Sequence, residues 1–439
     1  MLADSLGNPV TLRDAASLAR VDDFVQGFIA SEARAVRLLE IAGQDDSAIV
    51  QAYAAALQMF AETRGAPDAA RPCIDRALAA ASSATPREQR FVAAVKAWVD
   101  GDIALANRLH AEQADAFPRD LVSLKLGQYH LFNHGNAPAM LRLALTALPS
   151  TADVPYLHGM LAFGFEQCHF MREAETAARQ AISMCRKEPW AHHALAHVML
   201  TEGRLREGLA FMQEVSDSWA GLNSFMVTHN WWHMALFALD LDEHDEVLRL
   251  YDRQVWGVSK DYSQDQINAV SLLARLEAAG VDVGNRWQDL ADHLAPRVRD
   301  HVLPFLDLQY LYGLARAGRA EATTLLANME HHARHAPPDE AVAWHHVGIP
   351  AGRGMLAHAR GDFATAARDL GIAMPRLLEI GGSHAQRDLF AQLHLDALLK
   401  SGGFIEAQNI LQPLLNRQPE SRRLKRLATR AAAALGLPH

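Results

Sequence analysis

Histidine, tryptophan and arginine are the residues of this chain whose spacing can do chemistry. Three histidine pairs stand four residues apart: His130 with His134, His193 with His197, and His229 with His233. On a helix that interval puts both imidazoles on one face, which is how zinc hydrolases of the His-Glu-x-x-His type hold their metal. Those enzymes also need a glutamate directly after the first histidine as general base, and Ala194 and Asn230 stand there instead. The pairs therefore read as the lining of a pocket, with no metal and no other cofactor expected. The pair His130 and His134 runs into Gly135-Asn136, so it need not be helical at all.

The densest stretch is Thr228-His229-Asn230-Trp231-Trp232-His233, which holds two of the chain's 8 tryptophans. On a helix His229, Trp232 and His233 share a face. That face is either a wall that meets a ligand or a buried aromatic seam between repeats, because Trp and His are only intermediate in burial tendency.

A second block is Ile380-Gly381-Gly382-Ser383-His384-Ala385-Gln386-Arg387-Asp388. Much of it is explained by folding: two glycines end one helix, Ser383 caps the next, and Gln386 completes a capping box. Capping leaves His384, Arg387 and Asp388 unexplained. Asp388 is placed to orient the His384 imidazole, and Arg387 offers a planar fork to a carboxylate or phosphate near a helix N-terminus. His229, His384 and Asp388 are the candidate catalytic residues. Trp190, His193, His197, Trp232, His233 and Arg387 are the candidate binding residues. Asp252 is expected in a structural ion pair at the end of a helix, Trp344-His345-His346 on a late inner wall, and His331, His332 and His335 in a solvated run.

No Gly-x-Ser-x-Gly, no Gly-x-x-x-x-Gly-Lys and no dinucleotide fingerprint is present. Any catalysis falls to histidine acid-base chemistry with an arginine clamp, which suits hydrolysis, isomerisation or elimination on a small polar molecule.

The elements that must position these residues are helices. Apolar residues recur at three and four along nearly the whole chain, and no run shows sustained β alternation, so the fold is expected to be all-α. Val154-Pro155-Tyr156-Leu157-His158 aligns with Glu188-Pro189-Trp190-Ala191-His192 at an offset of 34 residues, and Arg172-Glu173-Ala174 aligns with Arg206-Glu207-Gly208 at the same offset. This is the tetratricopeptide period. Ala174 and Gly208 stand where two antiparallel helices must approach closely. In the next unit Val247, Tyr251 and Gln254 replace Gly208, Met212 and Val215 at an offset of 39, so about five residues are inserted before it. Gly101-Asp102 and Gly361-Asp362-Phe363 mark similar turns, and Phe404-Ile405-Glu406-Ala407 opens the last one.

Each unit resembles a tetratricopeptide helix-turn-helix, and the resemblance implies that the first helix faces a concave surface. With Pro155, Pro189 and Thr228 as first positions, that surface takes Tyr156, Gly159, Phe163 and Glu166, then Trp190, His193, His197 and Leu200, then His229 and Trp232. His233 is set nearer the interhelical packing. Helices at 11–19, 31–42, 47–63, 68–82 and 87–98 begin the array. The expected organisation is one continuous right-handed superhelix over 1–439. Its first repeats cover 1–150, the best-defined repeats 151–255 and the last 256–439, and a split near 260–285 is the alternative.

Bulk composition narrows the partners. A net charge of -9, from 42 basic and 51 acidic residues, gives no general attraction to phosphate backbones or anionic lipid. Nucleic acid and membrane are therefore not expected. Cys73, Cys168 and Cys185 are odd in number and unpatterned, which reads as reduced thiols. Together with the lack of a basic-then-apolar leader this places the chain in the cytoplasm.

The chain resembles the tetratricopeptide repeat protein 38 family. The carrying motifs are Glu188-Pro189-Trp190-Ala191-His192-His193-Ala194-Leu195-Ala196-His197, the stretch 228–233 with Tyr251-Asp252, Gly284-Asn285-Arg286-Trp287, the Gly361 turn and the block 381–388. The resemblance implies a tetratricopeptide-like α-solenoid and brings no defined activity. It also implies a histidine near Asp307, where this chain has Gln309. The expected function is a His- and Trp-lined pocket for a small, anionic molecule, with hydrolase-like catalysis in its fullest form. The rival is a protein-interaction scaffold that takes a peptide in its groove. A homo-oligomer stays open.

Overall fold

The computed structural model describes residues 2–438. It is an all-α array of helical hairpins. Among the described residues extended pairing is confined to Leu2–Ala3 against Pro9–Val10 and one isolated bridge between Glu32 and Leu222. No helix is long and apolar enough to cross a membrane among those residues.

The helices follow in chain order. α1 is Leu18–Ile29, α2 Ala48–Met59, α3 Ala66–Ala80, α4 Pro86–Val99, α5 Ile103–Ala116, α6 Leu121–Asn133, α7 Ala137–Thr151, α8 Pro155–Gln167 and α9 Met171–Met184. Next come α10 Pro189–Thr201, α11 Leu205–Val215, α12 Ser224–Asp240, α13 His244–Leu250, α14 Ser263–Ala278, α15 Arg286–Leu294 and α16 Pro304–Arg316. The chain ends with α17 Glu321–His335, α18 Pro338–Ala343, α19 Ile349–Ala359, α20 Phe363–Ala373, α21 His384–Ser401, α22 Phe404–Arg417 and α23 Arg422–Leu435. Contacts divide the chain into two compact units. The first is residues 1–195 with 217–226, the second residues 196–216 with 227–439.

The repeat is legible in the helix starts. α8 and α10 begin at Pro155 and Pro189, and α9 and α11 begin at Met171 and Leu205, both at the 34-residue offset. Proline suits a first helical position because its missing N–H would have no intrahelical partner there. Two of the hairpin turns share one device. Gly101 and Gly361 each take a φ of +82°, and the aspartate that follows caps the next helix: Asp102 accepts from Leu105 N at 2.9 Å and Asp362 from Thr365 N at 3.1 Å. Gly208 meets its expected constraint too, since a Cβ there would lie 2.2 Å from the Phe237 ring.

The five inserted residues do not simply precede a helix that starts at Thr228. A 3₁₀ turn at Ser216–Trp219 takes up part of the length, and α12 begins at Ser224, a turn before Thr228. Two early helices also differ from expectation. Residues 11–14 are held out of a helix by side chains elsewhere, with Thr11 N donating to Glu88 Oε1 (2.8 Å) and Arg13 N to Ser47 Oγ (2.6 Å), so α1 starts only at Leu18. The segment expected at 31–42 is a 3₁₀ helix, Ala33–Glu40, pressed so closely on α1 that a Cβ on Gly27 would lie 2.7 Å from Ala35 N.

In the second unit α14 and α16 are helices without a wet face. Every residue of α14 from Asp265 to Leu276 is buried, as is every residue of α16 from Pro304 to Leu314. A helix apolar all round is expected at such a place. α14 departs from that rule, because Asp265, Asn268, Ser271 and Arg275 recur along it at three and four and form a polar stripe inside the core.

Candidate functional site

The stripe on α14 explains what the stretch 228–233 does. Thr228 Oγ1 donates to Asp265 Oδ1 at 2.6 Å, and the same hydroxyl oxygen lies 3.5 Å from Asn268 Nδ2. With its proton given to the carboxylate, the hydroxyl accepts from the Asn268 amide nitrogen, which turns Asn268 Oδ1 toward His229. The His229 Nδ1 to Asn268 Oδ1 distance is 3.0 Å. An amide oxygen only accepts, so Nδ1 carries the ring proton and Nε2 is the acceptor nitrogen of His229. Burial pushes this imidazole down to about 3, and the Asn268 bond opposes that shift without cancelling it. At neutral pH His229 is uncharged.

His229 is not alone. His197, His229 and His233 are 1%, 2% and 0% exposed, and each places a ring nitrogen within 4.8 Å of the others. The His197 and His233 rings are 4.5 Å apart, and those of His229 and His233 4.8 Å. Trp232 closes the cluster, stacked on His229 at 5.1 Å and met on its face by the Arg275 guanidinium at 5.5 Å. Positions expected to line an open surface are thus interior. His233, set nearer the interhelical packing, is fully buried in the same cluster as His229.

Beside this cluster lies a cavity of about 200 Å³ walled by α10, α12, α14, α21, α22 and α23. His197 and His384 both line it, with Arg275, Asp388, Arg417 and Arg423. Arg423 Nε donates to Asp240 Oδ1 at 2.8 Å, and Arg275 lies 3.8 Å from Asp388. The second arginine is fully buried, which lowers its affinity for the proton to about 10. Its Nη2 donates to the Ala385 carbonyl at 2.7 Å and its Nη1 to Ser271, so the start of α21 is tied to α14.

The block 381–388 folds as its residues direct. Ser383 N donates to Gln386 Oε1 at 2.9 Å and Gln386 N to Ser383 Oγ at 3.3 Å, which completes the capping box. Gly381 and Gly382 take φ of +73° and +77°, and a Cβ on Gly382 would lie 2.8 Å from the Phe305 ring. Arg387, assigned by its sequence position to an anion, instead donates to the Gly381 and Gly382 carbonyls and reaches His384 Nδ1 at 3.1 Å through Nη2. A guanidinium has no acceptor, so His384 Nδ1 accepts and its ring proton is on Nε2. Asp388, placed to orient His384, faces Arg275 and accepts from Gln392.

The other sequence candidates belong to the first unit. Trp190 donates through Nε1 to Ser31 Oγ at 2.9 Å and carries the Lys125 ammonium 5.1 Å from its ring centre. His193 packs between Phe163 (4.9 Å) and Trp190 (5.2 Å). Burial pushes Lys125 down to about 7 and Glu188 up to about 8, and their mutual attraction opposes both shifts. Lys125 is fully engaged as a donor to Phe28 O, Ile29 O and Ser31 Oγ at 2.7 to 3.0 Å, a structural role. His134 lies just beyond α6, with Nδ1 2.8 Å from the His130 carbonyl, so the pair His130 and His134 does not present two ligands on one helical face.

Two other groups were not legible as partners. Asp307, completely buried, takes its histidine from the loop before α16: His301 Nδ1 lies 2.6 Å from Asp307 Oδ2, and burial raises the acid to about 6. Gln309 therefore does not leave the acid without an imidazole. His332 is half-buried, stacked on His301 at 5.1 Å and edge-on to Trp344 at 4.9 Å, rather than solvated. Asp252 meets expectation, paired with Arg286 by two bonds of 2.8 and 2.7 Å.

No known family model matches the chain. Among solved structures it is similar to a human IFIT1 dimer with PPP-AAAA, at 13% identity and a TM-score of 0.43 over 94% of this chain and 95% of that one. It is also similar to Naa15/Naa10 bound to HypK (11% identity, TM-score 0.26, 96% and 68% covered) and to the P58(IPK) TPR domain (12% identity, TM-score 0.23, 80% and 99% covered). The helical-repeat fold itself rests on the 34-residue register and the capped hairpins described above.

Proposed function

We propose that the second unit binds a small anionic molecule in the cavity lined by His197, His384, Arg275, Arg417 and Arg423. The observation that carries this reading is the meeting of His197 and His384, 187 positions apart in sequence, on one cavity with three arginines and two aspartates. Asp240 and Asp388 face Arg423 and Arg275, and the remaining positive charge and imidazole donors favour an anion. About 200 Å³ is below the roughly 300–1,000 Å³ of drug-sized pockets, so the ligand class is a small carboxylate or phosphate. Any acid-base step of hydrolase type would fall to His384, whose Nε2–H in the neutral ring donates a hydrogen bond to the bound anion. His229 stays behind the wall, and Arg387 works by holding the loop that presents His384.

The peptide-scaffold reading is less supported at this face. Ser421 Oγ donates to Asp240 at 2.8 Å, Arg422 to the Leu241 carbonyl at 3.3 Å and Gln418 Nε2 to the Leu200 carbonyl at 2.8 Å, so the chain's own α22 and α23 lie where an extended peptide would run.

The test is a thermal-shift and calorimetric screen of phosphate and small mono- and dicarboxylates against the full-length protein, repeated with His384→Gln and Arg417→Ala. Saturable stabilisation that both variants weaken is expected. Stabilisation by peptides alone, with no response to any small anion, would sink the reading.

A further inference from the structure

We propose that His197, His229 and His233 form a binding site for a first-row transition-metal dication of the zinc type. None of the three requires the anion reading above. Their nitrogens come from two helices of one unit, lie within 4.8 Å of one another and are shut away from solvent. Nitrogens around a tetrahedral zinc at about 2.0–2.1 Å stand roughly 3.3 Å apart, so small ring rotations bring the three onto one ion. An all-imidazole set suits zinc, copper, nickel and iron and excludes the hard cations, which require oxygen.

The surroundings of the cluster are those a metal ligand needs. A ligating histidine characteristically gives its other ring N–H to a fixed acceptor, which sets its tautomer and its angle. His229 gives Nδ1–H to Asn268, Asn268 is oriented by Thr228, and Thr228 by the buried carboxylate of Asp265. Each member of that chain of bonds is at most 2% exposed. A carboxylate this deep is costly to bury, and it sits three hydrogen bonds behind a ligand nitrogen, where its charge favours a cation in the cluster. The zincin glutamate is missing, which argues against a zincin mechanism and not against a metal. α10 also carries His193 one turn before His197, the interval that sets two imidazoles on one face. His197 lines the cavity as well, so an ion held here borders the space proposed for the anion.

The full-length protein, stripped with chelator and dialysed, is titrated with cobalt(II) chloride and then with zinc. One equivalent of cobalt, with visible ligand-field absorption that zinc abolishes and a higher Tm, is expected. No saturable binding of either ion and no change in Tm would overturn the proposal. Asn268→Ala keeps all three ligands and should weaken cobalt binding 10- to 100-fold, the usual effect of removing a partner behind a ligand. A cluster that only packs would not show that dependence. His229→Gln with His233→Gln, checked for folding by circular dichroism, should abolish stoichiometric binding, whereas His384→Gln in the cavity wall should leave it intact. Retention of cobalt by the former, or its loss only in the latter, would place the metal elsewhere and end the proposal.

Discussion

His229 Nδ1 and Asn268 Oδ1 lie 3.0 Å apart, and the direction of that bond is fixed from a distance by Asp265 through the Thr228 hydroxyl. Four side chains from α12 and α14 thereby agree on one protonation pattern in a dry core. Thr228→Val removes the hydroxyl at nearly constant volume and leaves a buried carboxylate one bond poorer. A destabilisation of roughly 1–3 kcal/mol follows, the cost of a lost buried hydrogen bond. Urea unfolding of the two proteins measures it, and an unchanged midpoint would mean that the network does not hold α12 to α14.

Gly208 sits against Phe237 with no room for a methyl group, since the nearest ring atoms would be 2.2 Å from a Cβ. Gly208→Val should therefore lower stability by about 1–3 kcal/mol through overpacking, even though valine has less backbone freedom to lose. Phe237→Leu should restore part of the loss, because the clash is with the ring. A double-mutant cycle reads the coupling, and additivity would refute the assignment of Gly208 to this contact.

These two sites differ in how far they could be read in advance. The requirement for glycine at 208 was visible because Ala174 holds the matching place one period earlier, and the capped turns at Asp102 and Asp362 announce themselves in two residues. The histidine cluster was only half visible. The spacing of His229 and His233 gave a shared face, but not whether that face was wet, because burial depends on which helices are laid over it. Asp265, Asn268 and Arg275 were missed although α14 carries a signal: polar residues that recur at three and four along a buried helix. Arg387 was misread since a guanidinium at a helix start serves a ligand or a loop carbonyl equally well in sequence, and only the backbone of Gly381 and Gly382 decides. His301 escaped notice because its acid, Asp307, is six residues away across a helix start.

Arg87 and Asp120 form an ion pair of 3.0 Å in which both side chains are 2% exposed. Asp120 also accepts from Gln113 Nε2 at 2.8 Å and caps α6 through Ser123 N at 3.1 Å. Asp120→Ala leaves the guanidinium without its counter-charge and removes the cap, so a loss of about 3–5 kcal/mol is expected. Replacing both residues by apolar ones, Arg87→Met with Asp120→Leu, should cost less than the single change. Chemical denaturation of the three variants tests this, and a single variant milder than the double would contradict it.

His110 gives the fold of the first unit an acid limit. Its Nδ1 lies 2.8 Å from Ser123 Oγ, its ring faces His130 at 5.6 Å, and burial holds it down to about 4 against an ordinary 6.5, with the Asp120 charge opposing the shift. Between those two values the unfolded chain takes up a proton that the folded chain refuses. The stability that His110 contributes is complete above pH 6.5 and is lost progressively as pH falls toward 4, at up to about 1.4 kcal/mol per pH unit. Other buried imidazoles act in the same direction, His192 among them, so the difference between proteins is the informative quantity. His110→Gln keeps a hydrogen-bonding group for Ser123 and cannot titrate. Urea unfolding from pH 7 to pH 4.5 should show a slope smaller by about one proton in the variant than in the parent. Identical slopes would mean that His110 is protonated in the folded protein, and the argument from its burial would fail.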